Sequence, residues 1–260
     1  MKIGIIGLGV VGSAIKYGFE KIGHDVKVHD IKLETKIEDV LDTEICYICV
    51  PTCQNDDGSC DTSIVHDVIK TLMHKINYFG IIAVKSTVEP GTTMEYGNSV
   101  CFVPEFLRER CAITDFTENH DVLIVGTSDK SIYNKIVECH GRYPKKTIML
   151  SKTESELVKY FNNIYNATQI TFANSFYEVC KALNVNYSNV KDAIVQREHI
   201  NDIYLDCNDN FRGFGGMCLP KDTAAINRLA KKLNVDVDFF EILLKENNKY
   251  KTTVYEGMRK

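Results

Sequence analysis

Short apolar runs recur through the first half of the chain at Lys2 to Ile6, Val26 to His29, Ile45 to Val50, Ile81 to Val84, Val100 to Val103 and Val122 to Val125, with helical patterns between them. This alternation predicts a parallel sheet with crossover helices, an α/β architecture. Thr147 to Leu150 is the last expected strand, so a domain boundary is expected near Ser151. From Glu154 to Leu183 the spacing changes to threes and fours: Leu157, Phe161, Ile164, Thr168, Phe172, Phe176, Val179 and Leu183 mark one face of a long helix on which a second, all-helical domain hangs. Further helices are predicted over Asn189 to Val195, Lys221 to Leu233 and Val237 to Val254, with Arg197 to Arg212 a polar loop. The expected division is 1–150 and 151–260.

Composition narrows the class of partners. The 260 residues are 44% hydrophobic and 25% charged, with a formal net charge of −4, which describes a soluble globular protein and offers no basic footprint for nucleic acid. Arg228, Lys231 and Lys232 read as a solvated helix face. The apolar start after Met1 is too short for a signal peptide and no run reaches membrane length, so a cytoplasmic protein without membrane contact is expected. Ten cysteines spread through regular segments read as free thiols in a reducing compartment. Cys46 and Cys49 form a C-x-x-C inside a strand-like run, where buried packing is the expected role. His29, His66 and His199 have no partner at metal or triad spacing, so no metal site is expected and none of the seven histidines is given a catalytic role.

Gly7-Leu-Gly-Val-Val-Gly12 follows a strand pattern and opens the helical run Val10 to Ile22. In that context the first glycine makes a tight turn, the second lets a pyrophosphate approach the backbone, and the third packs helix on strand. A Rossmann-type doubly wound sheet is therefore expected, with Gly7, Leu8, Gly9, Val10, Val11 and Gly12 around a dinucleotide. Asp30 ends the next strand, where its carboxylate would accept from ribose hydroxyls and repel a 2′-phosphate, so NAD is predicted over NADP.

At the other end, Gly213-Phe-Gly-Gly-Met-Cys-Leu-Pro-Lys-Asp222 presents Cys218 on a glycine-rich turn at the expected start of a helix. Pro220 suits a first helical position, and the unpaired N–H groups there favour the nucleophilic thiolate.

The glycine fingerprint, Val50-Pro-Thr52, Lys85-Ser-Thr-Val-Glu-Pro-Gly-Thr92, Pro104-Glu-Phe-Leu-Arg-Glu109, Glu156-Leu-Val-Lys-Tyr-Phe-Asn-Asn163 and the cysteine segment occur in that order. Together they resemble the UDP-glucose/GDP-mannose dehydrogenase family, NAD-dependent enzymes that oxidise a sugar C6 alcohol to a carboxylate. The resemblance implies that Cys218 captures the intermediate aldehyde as a thiohemiacetal, which is oxidised to a thioester and hydrolysed. It casts Lys159 and Asn163, four apart on one helix face, as stabilisers of the C6 oxyanion, and Asp222 as a partner of Lys159 in water-mediated proton removal. It makes Glu109 the activator of the hydrolytic water and Thr87 the residue that positions that water. Pro51, Thr52, Ser86, Thr87, Glu109 and Lys221 are implied cofactor contacts, while Glu105, Phe106, Leu107, Phe211 and Gly215 join Lys159 and Asn163 around a nucleotide-sugar substrate, UDP-glucose by default.

The family dimerises through its central helices, which implies a homodimer here. Its members continue through a third domain that grips the nucleotide. The chain's end at Lys260 leaves three arrangements open: a minimal enzyme, a site completed by a separate chain, and a non-catalytic NAD-binding module. A β-hydroxyacid dehydrogenase of the same two-domain plan, which uses a helical lysine and no thiol, is the rival enzymatic reading.

Overall fold

The computed structural model describes residues 1–252. They divide into two compact units: Met1–Cys53 with Cys60–Lys159, and Gln54–Ser59 with the residues from Tyr160 on.

The first unit is built on seven strands, β1 (Lys2–Ile6), β2 (Asp25–His29), β3 (Ile45–Ile48), β4 (Ile81–Val84), β5 (Val100–Phe102), β6 (Val122–Gly126) and β7 (Lys146–Leu150), in the order β2-β1-β3-β4-β5-β6-β7. Alternate side chains feed two cores. Ile3, Ile5, Ile45, Tyr47, Ala83 and Cys101 face one, while Ile6, Cys46, Ile48, Ile82, Val84 and Phe102 face the other. Both faces are covered, which is why the central strands are apolar at almost every position. Helices α1 (Val10–Lys21), α3 (Ala112–Thr117) and α4 (Lys130–His140) supply Ile15, Phe19, Phe116, Ile132 and Ile136 to the first core. Helix α2 (Ser63–Lys70) and the wider turn that continues it to Lys75 supply Val65, Ile69 and Leu72 to the second.

One strand pair departs from the expected all-parallel sheet. β5 meets β6 antiparallel at Phe102 and Gly126, so β6 and β7 run against the first five strands. Apolar runs separated by helical patterns carry no strand direction, and an antiparallel neighbour needs no crossover spanning the sheet.

The long helix α5 (Lys152–Ala182) begins in the first unit and continues in the second. Its opening turns are tied to the sheet domain by polar contacts. Glu156, fully buried, accepts from Gly91 N at 2.5 Å and from Thr93 N and Oγ1 at 2.8 and 2.6 Å. Lys152 donates to the carbonyls of Tyr96 and Gly97 at 2.9 and 3.0 Å.

In the second unit follow α6 (Tyr187–Ile194), α7 (Leu219–Lys232) and α8 (Phe239–Asn247). α8 is shorter than the helix expected from Val237 to Val254, and the Val254 end of that expectation lies outside the described residues. The apolar row of α5 is largely uncovered: Phe161, Phe172, Phe176, Val179 and Leu183 are exposed, and of that row Ile164 is buried. The side buried within the chain is Tyr160, Asn163, Ala167, Thr171 and Asn174, mostly small or polar.

Candidate active-site residues

The dinucleotide cradle forms where β1 turns into α1. Gly7 has φ +93°, and an added Cβ would lie 2.6 Å from the Cys49 carbonyl oxygen. At Gly12 a Cβ would come within 1.9 Å of the Gly7 oxygen, so only glycine lets α1 start this close to the strand. Gly9, the residue preceding α1, behaves differently: a Cβ there would have nothing within 4 Å, the open space a pyrophosphate needs in front of unpaired helix N–H groups. Leu8 and Val11 are half-buried and Val10 is exposed at the same turn.

Asp30 stands beside this turn. Its Oδ2 accepts from Leu8 N at 2.7 Å and its Oδ1 from Lys32 N at 2.8 Å, and these two N–H groups hold its carboxyl below the usual aspartate range. A permanent carboxylate with spare lone pairs suits ribose hydroxyls. The cradle and Asp30 fit a dinucleotide of NAD type.

Pro51 and Thr52 follow the end of β3, beside the cradle strand, and Ser86 secures that stretch by donating to the Val50 carbonyl at 2.7 Å. Thr87 is half-buried, with its carbonyl accepting from the Cys60 thiol at 3.5 Å. Cys46 and Cys49 face opposite cores, and burial pushes the Cys46 thiol far up and the Cys49 thiol to about 12. Both side chains pack among the apolar residues of these cores.

The Pro104–Glu109 loop is organised around Glu105. Its Oε1 accepts from Phe106 N at 2.8 Å and Leu107 N at 3.0 Å. Its Oε2 lies 2.9 Å from the Lys85 ammonium, a close ion pair without hydrogen-bond alignment, with the lysine side chain 2% exposed. Removing either partner would strand a buried charge, at a cost of about 3–5 kcal/mol. Lys159 donates to the Glu105 carbonyl and lies 5.8 Å from the centroid of the Phe106 ring. The structure thus gathers Glu105, Phe106 and Lys159, while Glu109 is exposed at the start of the next turn.

In the second unit Cys218 immediately precedes α7, with Pro220 at the second helical position, one later than expected. The thiol residue is exposed, and its carbonyl accepts the first helical bond from Asp222 N at 2.8 Å. Asp222, 1% exposed, accepts from Asn163 Nδ2 at 2.6 Å and pairs with Lys221 at 2.6 Å. Upstream, Arg212 donates to Asn174 Oδ1 at 2.7 Å and to Glu178, and its guanidinium stacks over Tyr177 and Tyr250. Asn247, at the end of α8, grips the backbone of Phe214, and Gly215 is half-buried next to it.

Phe211 lines a cleft of about 510 Å³ with Tyr187, Lys191 and Asp206. Lys191 neutralises its acidic side, pairing with Asp206 and Asp202 at 2.8 and 3.0 Å.

Among the described residues no three His, Cys, Asp or Glu side chains are grouped to hold a metal ion, and no helix is long and apolar enough to cross a membrane. His120 and His140 lie near each other in the first core with rings 5.7 Å apart, and burial holds both below the usual histidine range.

Comparison with known proteins places these features. Residues 27–142 match the NAD binding domain of the UDP-glucose/GDP-mannose dehydrogenase family, and residues 153–249 match its central domain. The chain belongs to that family. It is 27% identical to a UDP-glucose 6-dehydrogenase of Haloferax volcanii, over 89% of this chain and 66% of the relative. With a UDP-glucose 6-dehydrogenase of Bacillus subtilis it shares 28% identity over 99% of this chain and 65% of the relative. The chain therefore spans slightly under two thirds of these curated relatives. Among solved structures, a UDP-glucose dehydrogenase of Pyrobaculum islandicum superposes with a TM-score of 0.86 at 26% identity, covering 95% of this chain and 68% of that one. NAD is the cofactor of the family's N-terminal domain, and the cradle with Asp30 is where this member would hold it.

Sequence reading missed Lys85, Lys152, Glu156 and Asn247 as individual residues. For Asn247 a signal existed: it lies four residues after Leu243, so a polar side chain interrupts an apolar helix face, and both are buried. Lys85 and Glu156 lay inside matched motifs, yet their partners come from distant segments.

Proposed function

We propose that this chain oxidises the C6 alcohol of a nucleotide sugar to the carboxylate, with UDP-glucose as substrate and Cys218 as the covalent carrier. The observation that supports it most is an exposed cysteine at the start of a helix whose first turn carries a buried, doubly held aspartate. Bound NAD supplies the hydride acceptor for both oxidations, so two NADH form per sugar.

Lys159 and Asn163 share one face of α5 and donate to the C6 oxygen as it gains negative charge. The alcohol proton leaves through water, in which Asp222 and Lys159 take part. The Cys218 thiolate adds to the aldehyde carbon, forming a C–S bond, and the oxygen takes a proton. After the second oxidation the carbon is a thioester. Glu109 takes a proton from the attacking water, positioned by Thr87, the C–S bond breaks, and Cys218 returns as thiolate. Pro51, Thr52, Ser86 and Lys221 border the cofactor, and Phe106, Leu107, Phe211 and Gly215 the sugar nucleotide. Glu105 acts by holding its loop through Phe106 N, Leu107 N and Lys85.

Purified protein with NAD and UDP-glucose is expected to release two NADH and one uronate per sugar. No NADH from UDP-glucose or from a panel of other nucleotide sugars would refute the reading for this chain.

A second copy of the chain is the proposed partner of the exposed Phe161, Phe172, Phe176 and Leu183 row on α5. Light scattering should give a dimer mass, and Phe161→Asp should lower it to the monomer. A wild-type monomer at working concentration would remove this part of the proposal.

A further inference from the structure

Phe214 sits four residues before the proposed nucleophile, and both of its backbone polar groups are held by one side chain. Asn247 Oδ1 accepts from Phe214 N at 2.7 Å, and Asn247 Nδ2 donates to Phe214 O at 2.9 Å. We infer that Asn247 is a positioning residue for Cys218, fixing the upstream end of the arch that presents the thiol. The inference rests on Cys218 carrying the thioester.

Three features of the geometry support it. A carboxamide carries an acceptor and a donor side by side, so it satisfies a neighbouring N–H and C=O together. Aspartate lacks the donor, leucine lacks both groups, and glutamine is one methylene too long. The fit is also close: Asn247 is 4% exposed, Phe214 is 2% exposed, and a Cβ at Gly213 would lie 2.8 Å from Asn247 Oδ1. Glycine at 213 is thus what lets the amide reach the chain.

Among the described residues, little else holds the arch. Gly216 has φ +76° and open space where a Cβ would stand, and Met217 is 55% exposed. Downstream of Cys218 the chain is fixed by α7, through Asp222 N on the Cys218 carbonyl at 2.8 Å and Asn163 on the Asp222 carboxylate. Upstream, Arg212 anchors on Asn174 and Glu178, and Asn247 is the grip nearest the arch. Gly215 to Met217 therefore span two fixed points, and their shape follows from where those points are.

Position matters here because an aldehyde that is not captured diffuses away. A misplacement of about 1 Å costs on the order of a hundredfold in rate at a reacting atom. Loosening the arch should impair capture by Cys218 more than the first oxidation, since Lys159 and Asn163 are not part of it, while Gly215, which borders the sugar nucleotide, adds a rise in KM.

The experiment uses the full chain, wild type beside Asn247→Ala and Asn247→Asp, in two arms. Hydrogen exchange of the peptide over Phe214 to Cys218 should quicken about tenfold in Asn247→Ala, with α7 unchanged. With NAD and UDP-glucose, NADH per sugar consumed should fall from two toward one, with free aldehyde captured by a hydrazide probe. Asn247→Asp keeps the acceptor for Phe214 N and should lie between. A purely structural loss lowers the number of active molecules but keeps the ratio at two, and that result overturns the inference, as does unchanged exchange over the arch. Should Asn247→Ala fail to fold, Asn247→Asp decides by the same two readings. A wild type that forms no NADH counts against the thioester reading, and the exchange rates then decide the role of Asn247 alone.

Discussion

The Gly7–Gly12 cradle and the Gly213–Cys218 arch are both glycine-rich turns that lead into a helix, yet they are held by different means. The cradle is held mostly by backbone: Gly7 N donates to His29 O at 2.8 Å, Cys49 N to Ile6 O at 2.7 Å, and Gly12 lies under the Gly7 carbonyl, with the Asp30 carboxylate on Leu8 N as a side-chain contact. The arch depends on side chains of other helices, Asn247 of α8 on Phe214, and Asn174 and Glu178 of α5 on Arg212. A dinucleotide's phosphates need only oriented N–H groups, which the chain supplies by its own path. A thiol that must meet one carbon needs its turn located in space, and a flexible glycine run cannot do that without outside contacts.

The largest effect is expected at the arch. Cys218→Ser should abolish uronate formation, measured by chromatography of the product, while leaving NAD affinity by calorimetry unchanged. Undiminished acid would instead favour simple alcohol oxidation without a thiol.

The cradle is tested by a pair of alanines. Gly12→Ala drives a methyl into the Gly7 oxygen and should lower stability by about 3 kcal/mol or more in thermal unfolding. Gly9→Ala meets open space, so its melting point should match wild type within about 0.5 kcal/mol while NAD binding weakens. Equal melting points for the two variants would mean the turn is not packed as described.

Asp30→Asn removes a charged acceptor but keeps the shape. NAD affinity should fall by the equivalent of about 1.5–3 kcal/mol, and the preference over NADP should shrink. Tighter binding of NADP than NAD by the wild type would contradict the role given to Asp30.

What was legible in the chain follows the same division. The strands and α1 could be read because apolar runs and glycine spacing act over a few residues. Cys218 at a helix start, and Asp30 after β2, were legible for the same reason. The antiparallel β5–β6 pair was not, since Phe102 and Gly126 meet through a connection whose direction leaves no local mark. The buried face of α5 was not legible because it is mostly small or polar, with Asn163, Ala167, Thr171 and Asn174, while the largest apolar side chains, such as Phe161 and Phe172, lie on the exposed one. Asn247 and the Lys85–Glu105 pair depend on contacts across 33 and 20 residues, as the numbering itself shows.

The smallest expected effect concerns pH. His140 is fully buried against Phe19, Tyr47 and Phe116, donates through its Nδ1–H to Ile136 O, and has its protonated form disfavoured by burial first and by Lys85 next. The unfolded chain takes up that proton below about pH 6.5 and the folded chain does not. Stability should therefore decline as pH falls from about 6.5, by at most about 1.4 kcal/mol per pH unit for this group. His140→Leu should flatten the slope in urea titrations. Asp115 acts lower down: Arg108 holds its carboxyl at about 2, so its contribution is complete above about 3.8 and lost as pH falls through about 2.

The covalent step is the claim on which the rest turns, and peptide mass spectrometry of acid-quenched protein turning over NAD and UDP-glucose tests it most directly. An acyl sugar-nucleotide adduct is expected on the peptide containing Cys218, present with NAD and absent without it. NADH formation at full rate with that peptide unmodified, and with Cys218→Ser equally productive of acid, would contradict it.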